Sequence, residues 1–256
     1  MPVQRYFIEL SFNGKEYHGW QSQPNAHSVQ AELEQAIEII TKARSETTGC
    51  GRTDTGVHAR QFYAHFDTSF AIHDGYAFCH SLNGILPADI SIRRIIAVAA
   101  DAHARFDAVS RTYEYHLYSH KDPFLRGFAA YFPQPLDMSR MNSFAGSLKE
   151  HIDFSSFAKA NGQSFTNNCT IHEAGWEQKD DRLVFTIKAN RFLRNMVRAI
   201  VGTLLLAGED KISEDDFAMI LEGKDRRLAG ASVPACGLYL TQVEYPYPLV
   251  ALHLQG

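Results

Sequence analysis

Short runs of aromatic and branched residues alternate with segments of helical spacing along the whole chain, and that order restricts the fold to a combination of sheet and helix. Val3 to Phe12 reads as a strand closed by the turn pair Asn13-Gly14. Ser28 stands where its side-chain oxygen can cap a helix in which Val29, Leu33, Ala36 and Ile40 recur on one face as far as Lys42. Strands are predicted over Val57 to Asp67, Ile90 to Val98 and Arg111 to Ser119, with a helix over His73 to Leu82 that ends at Asn83-Gly84.

The same order returns in the second half. After a break at Pro133 and Pro135, a helix is predicted from Met138 to Leu148 with Asp137 as its cap. Strands over Cys169 to Glu177 and Arg182 to Asn190 are joined by the polar turn Gln178-Lys179-Asp180-Asp181. Next comes a helix over 191 to 204, in which Leu193, Val197, Ile200 and Leu204 form one stripe and Arg191, Arg194 and Arg198 another. A short helix from Ser213 to Leu221 and a strand from Leu238 to Tyr245 close the pattern. Each half therefore reads strand, helix, strand, helix, strand, which implies an α+β fold with a mainly antiparallel sheet.

Charge and cysteine usage narrow the function classes. The formal net charge is −4, so bulk electrostatics do not advertise a nucleic-acid partner. Local segregation does. Residues 188 to 198 carry Lys188, Arg191, Arg194 and Arg198 without an acid, and phosphate contacts depend on such local groups and not on the total. Cys50, Cys79, Cys169 and Cys236 show no Cys-x-x-Cys spacing, which fits reduced thiols in a cytoplasmic protein. The start of the chain lacks the apolar core of a secretion signal, and the apolar stretch Ala199 to Ala207 is too short to span a bilayer, so no membrane association is expected. His58 and His65 lie seven apart on one predicted strand, face opposite sides and have no Cys or Glu cluster beside them, so no metal site is expected. Without a Gly-x-x-x-x-Gly-Lys or a Gly-x-Gly-x-x-Gly after a strand, no nucleotide cofactor is expected either.

Chemistry concentrates in Gly51-Arg52-Thr53-Asp54-Thr55-Gly56-Val57-His58-Ala59. Here one carboxylate lies between glycines that permit positive φ and close approach to a ligand, with Arg52 as a nearby countercharge. An Asp so framed can serve as a nucleophile or a base, or form an Asx-turn with its own backbone.

Taken with further blocks, the chain resembles the tRNA pseudouridine synthase A family from about residue 3 to residue 247. The blocks are Tyr17-His18-Gly19-Trp20-Gln21-Ser22-Gln23, the Asp54 run, Leu82-Asn83-Gly84-Ile85-Leu86-Pro87, His103-Ala104-Arg105-Phe106, Arg111-Thr112-Tyr113-Glu114-Tyr115, Phe192-Leu193-Arg194-Asn195-Met196-Val197-Arg198 and Gly237-Leu238-Tyr239-Leu240. Thr55 stands where the family usually has Ala, and Asp107 where it usually has a small residue such as Ser, which adds a negative charge near the expected RNA surface.

The resemblance implies a pseudouridine synthase fold of two similar α/β halves, 1–108 with the catalytic Asp loop and 109–256 with the substrate Tyr and the Arg helix, sharing a mainly antiparallel sheet with a central cleft. It implies isomerisation of uridine at positions 38 to 40 of the tRNA anticodon stem-loop, without a cofactor, by a homodimer. Asp54 is the implied catalytic residue, acting at the ribose, at the base or on the C2′ proton. Arg198 is its implied ion-pair partner, Tyr113 the residue that stacks on the target base, and Arg52 the one that enters the stem beside the flipped nucleotide. Arg191 and Arg194 are candidates for phosphate contact. From the residues alone, Tyr113 also fits core packing, Arg52 a surface ion pair and Arg198 a solvated helix face. Two other readings are a non-catalytic RNA-binding protein and a nucleoside or glycoside hydrolase, the latter lacking an evident second carboxylate.

Overall fold

A computed structural model describes residues 3–159 and 165–252. In chain order its regular elements begin with β1 (Gln4–Phe12), α1 (Val29–Thr41), β2 (Thr48–Gly49), β3 (His58–Thr68), α2 (Gly75–Ile85) and β4 (Ile90–Ala97). They continue with β5 (Ser110–Tyr118), β6 (Ala130–Tyr131), α3 (Met138–Ser147), β7 (Ile171–Lys179), β8 (Arg182–Ala189), α4 (Met196–Gly208), α5 (Glu214–Glu222) and β9 (Leu238–Glu244). Residues up to 109, together with those from 240 onward, form one compact unit, and residues 110–239 form a second.

In the first unit the strands lie in the order β4, β1, β3, β9, with β2 beside β3. β1 pairs antiparallel with both β3 and β4. One face of the β1–β3 pair carries Tyr6, Ile8, Leu10, Phe62, Ala64 and Phe66, all buried, and α2 covers it where Phe78 stacks on Phe66 at 6.2 Å. The opposite face, with Phe7, Glu9, Tyr63 and His65, is buried as well. Tyr245 covers it, with its ring 5.3 Å from both Phe7 and Tyr63. Burial on both faces explains why Tyr6 to Leu10 is apolar almost without alternation. Glu9 is the exception in that run, and its carboxylate accepts hydrogen bonds from Arg94 Nε at 2.6 Å, Tyr63 OH at 3.0 Å and Gln61 Nε2 at 3.3 Å. A buried charge is tolerable only when so satisfied.

The second unit carries β5, β8 and β7 in antiparallel order, with β6 parallel to β5. β7 and β8 pair up to Lys179 and Arg182, so the turn is the two residues Asp180-Asp181, with Asp180 at φ 51°. α3 docks on β7 through Asn142, whose Oδ1 accepts from Trp176 N at 2.6 Å and whose Nδ2 donates to Trp176 O at 3.0 Å. α4 is buried on nearly every side. No helix among the described residues is long and apolar enough to cross a membrane.

The predicted caps Ser28 and Asp137 are present, and Ser213, expected as the first residue of its helix, is a cap as well; each accepts from a backbone N–H of the helix that follows. Three expectations differ from what is seen. α2 runs through Asn83-Gly84 to Ile85, because Asn83 Oδ1 accepts from Ile92 N at 2.7 Å and Nδ2 donates to Ile92 O at 2.9 Å, stitching the helix to β4. It stops at extended Leu86, before Pro87. The helix predicted over 191 to 204 begins only at Met196, because Asn195 adopts φ 66°, a left-handed conformation that a right-handed helix cannot continue through. Arg191 and Arg194 therefore precede the helix and share no helical stripe with Arg198. Whereas the sequence groups residues 109–256, those from 240 onward pack in the first unit, where Gln61 Oε1 accepts from Val243 N at 2.9 Å.

Candidate active site

The Asp54 loop leaves β2 and enters β3, and its backbone is fixed at several points. Thr53 is buried, and its Oγ1 accepts from Trp20 N at 3.0 Å. Gly56 N donates to Tyr17 O at 3.2 Å, and Val57 N closes a turn onto Asp54 O at 3.1 Å. Gly56 adopts φ 79°, as the sequence suggests, but Gly51 is not among the positive-φ glycines. Upstream, Gln30 Nε2 donates to Thr47 O at 2.8 Å and Glu34 Oε1 accepts from Thr47 N at 2.7 Å, so α1 anchors the start of β2. Trp20 is buried against Phe62, ring centroids 4.3 Å apart.

A close approach is made at Gly19, with φ 90°, where a Cβ would lie 2.2 Å from the Thr53 carbonyl oxygen. Only a residue without a side chain allows the 17–23 segment to lie this close beneath the loop. The result is a rigid seat on which Arg52 is exposed and Asp54 half-exposed. His58 follows at the start of β3, and its Nδ1 accepts from Gly14 N at 3.1 Å.

Tyr113 and Arg198 lie in the second unit, on separate elements. Tyr113 sits on β5 opposite Ile187, half-buried, with the Phe192 ring edge-on at 5.2 Å. Arg198 is in the first turn of α4. Its Nε donates to Val233 O at 2.8 Å, and its own carbonyl accepts from Val233 N at 3.2 Å. The segment carrying Val233 crosses α4 at Gly202, where a Cβ would stand 1.8 Å from Ala231 O. Gly230 N donates to Thr203 Oγ1 at 2.9 Å beside that crossing. Arg198 is thus oriented by two bonds to one residue of a closely packed strap. Arg191 Nη1 donates to Thr166 O at 3.1 Å, and Arg194 O accepts from Lys159 N at 3.2 Å.

Residues 150–246 match the family model described as tRNA pseudouridine synthase. A tRNA pseudouridine synthase A from Parabacteroides distasonis is 48% identical over 247 residues, covering 96% of this chain and 98% of the relative. The chain belongs to the tRNA pseudouridine synthase A family. Two further members with this name, from Porphyromonas gingivalis and Listeria monocytogenes, are 49% and 39% identical, over 96% and 95% of this chain and 99% and 100% of their own lengths. Membership makes the protein an isomerase, and the mixed α/β architecture with mainly antiparallel strands is that of a pseudouridine synthase fold.

Sequence reasoning picks out Arg52, Asp54, Tyr113 and Arg198 in this synthase family member but not the groups that hold them. Thr53, Gly19, Gln30 and Glu34 support the loop, and Val233 supports Arg198. Gln30 and Glu34 do leave a trace, as two polar residues one helical turn apart on a helix with a buried face. Nothing local points to Thr53 as the partner of Trp20.

Proposed function

We propose that the protein converts uridine to pseudouridine at positions 38 to 40 of the tRNA anticodon stem-loop, with Asp54 as the catalytic carboxylate. The observation that carries this reading is Asp54 in a backbone-clamped loop, within a chain similar over nearly its full length to tRNA pseudouridine synthases A. In the reaction the N1–C1′ bond breaks, the uracil turns while retained, a C5–C1′ bond forms, and the proton lost from C5 is balanced by one gained at N1. No cofactor or metal enters this balance. Asp54 supplies the carboxylate beside the ribose, as nucleophile or as base. Arg198 pairs with it, Tyr113 stacks on the target base, and Arg52 fills the space left by the everted nucleotide.

The unit formed by residues up to 109 and from 240 onward acts as the half that presents Asp54, and residues 110–239 as the half that presents Tyr113 and Arg198. The protein works in the cytoplasm as a homodimer, in which two copies of a modestly acidic chain assemble a basic surface for one tRNA. A strictly monomeric form with full activity on whole tRNA would contradict the dimer. Purified protein incubated with unmodified tRNA tritiated at uridine C5 is expected to release tritium while the RNA stays intact, and sequencing of the product is expected to place the change at positions 38 to 40. Free uracil in place of an isomerised base would instead identify a hydrolase.

A further inference from the structure

The loop 102–107 of the first unit holds an exposed aromatic ring in an unusually fixed frame. Phe106 is 75% exposed, yet its ring rests on His103 with centroids 4.2 Å apart at 33°, and Arg105 Cζ lies 5.7 Å from the ring centroid. Beneath it, nearly every polar group is engaged. His103 Nδ1 accepts from Arg105 N at 3.1 Å and Phe106 N at 3.2 Å. Ala104 N donates to His65 Nδ1 at 3.1 Å, while Ala104 O accepts from Tyr245 OH at 2.6 Å.

Asp107, the departure from the family pattern, completes this frame. Its Oδ2 accepts from His103 N at 2.7 Å and Tyr247 OH at 2.7 Å, and its N–H donates to His103 O at 3.1 Å. The carboxylate is thus turned inward onto the loop and the segment after β9. Burial holds His103 below its usual range, which favours the neutral ring whose Nδ1 can accept both N–H groups.

Arg105 also reaches a shallow depression of about 100 Å³ beside the Asp54 loop, lined by Trp20, Gly49, Gly51 and Arg52 among others. Two guanidinium groups line it, and its described lining carries no carboxylate. A fixed ring backed by a second ring, next to a cationic hollow, matches the requirements of a flexible RNA strand: a face for a base and countercharge for its phosphate. Preorganisation lowers the entropy lost on binding.

We propose that Phe106, seated on His103, is a stacking platform for an unpaired base of the tRNA substrate, that Arg105 holds the neighbouring phosphate at the depression, and that Asp107 is a positioning residue for the platform. This rests on the reading of the protein as a tRNA-modifying enzyme.

The test is steady-state tritium release from C5-labelled tRNA, paired with direct tRNA binding at several salt concentrations. Phe106→Ala is expected to raise KM and the dissociation constant about tenfold, the order of one lost base stack, with a much smaller change in kcat. Phe106→Trp restores binding. Arg105→Gln lowers the slope of log affinity against log salt by about one. Asp107→Ala is expected to raise KM in the same direction, and combined with Phe106→Ala to add little to it. An active enzyme whose KM is unchanged by Phe106→Ala overturns the platform and leaves the enzymatic reading intact. Independent, additive effects of Asp107→Ala overturn its positioning role. Tight tRNA binding by the wild type without tritium release overturns the enzymatic reading, and the binding arm alone then decides the platform.

Discussion

Gly19 presses against the Thr53 carbonyl so closely that a Cβ would stand 2.2 Å from its oxygen, at a backbone φ of 90° that side chains rarely adopt. The close approach bears on the residue just before Asp54. Gly19→Ala is expected to cost about 3 kcal/mol or more in stability, from strain and overlap together, and to abolish activity by displacing the loop. Urea denaturation and tritium release read the two effects. Gly51→Ala is the control: a Cβ there meets nothing within 4 Å, and its stability should change by less than about 1 kcal/mol.

Thr53 supplies the next prediction. Its hydroxyl accepts the Trp20 N–H in a buried setting, so Thr53→Val leaves that donor without its acceptor and should cost about 1–3 kcal/mol. Thr53→Ser keeps the oxygen and should lose less than about 1 kcal/mol. A larger loss in Thr53→Ser than in Thr53→Val, measured by denaturant midpoints, would show that the methyl group and not the hydroxyl holds the loop.

Local chemistry is what the sequence makes legible. Ser28 and Asp137 announce their helices because a cap depends on residues three positions away, and the glycine-framed Asp54 announces a loop. Distant partners leave no such mark. Asn83-Gly84 reads as a helix stop, yet Ile92 engages Asn83 and the helix continues. The Arg191, Arg194 and Arg198 stripe fits helical spacing, but left-handed Asn195, whose side chain donates to Ser232 Oγ, starts α4 five residues after Arg191. Residues from 240 onward look like the end of the second half, but they pack in the first unit, where they bond to Gln61, Ala104 and Asp107 among others. Among the candidate site residues, Asp54 is marked by its glycine frame, whereas Arg52, Tyr113 and Arg198 stand out only through the resemblance to the family; the bonds of Thr53 and Arg198 reach groups 33 and 35 residues away.

Arg198 is oriented through Nε, which donates to Val233 O. If Arg198 acts as proposed, Arg198→Ala is expected to reduce kcat/KM at least about 100-fold with stability changed far less, because the interaction lost would act on a charged reacting group. Arg198→Lys should recover little, since an ammonium cannot hold Val233 and present a planar fork at the same time. Near-normal turnover by Arg198→Lys would show that a point charge suffices.

Acid should weaken the first unit over a defined window. His65 is pushed down to about 4 by burial and by the nearby charges of Arg5 and His103, against the opposing carboxylates of Asp67 and Asp107. The unfolded chain takes up its proton near pH 6.5, so it binds more protons than the folded state between about pH 6.5 and 4, and stability falls as pH drops through that range. Asp67, held below its usual range by hydrogen bonds from Arg5, adds a loss of the same sign at lower pH. Thermal melts from pH 7 to 4 should show this decline, and His65→Gln should flatten the part above pH 4.

The most direct measurement compares wild type with Asp54→Asn on tRNA tritiated at uridine C5. The wild type is expected to release tritium from intact RNA, and the Asn variant, with nearly the same shape and tRNA binding, to release none above background. Tritium release by Asp54→Asn at the wild-type rate would contradict the assignment of Asp54 as the catalytic carboxylate.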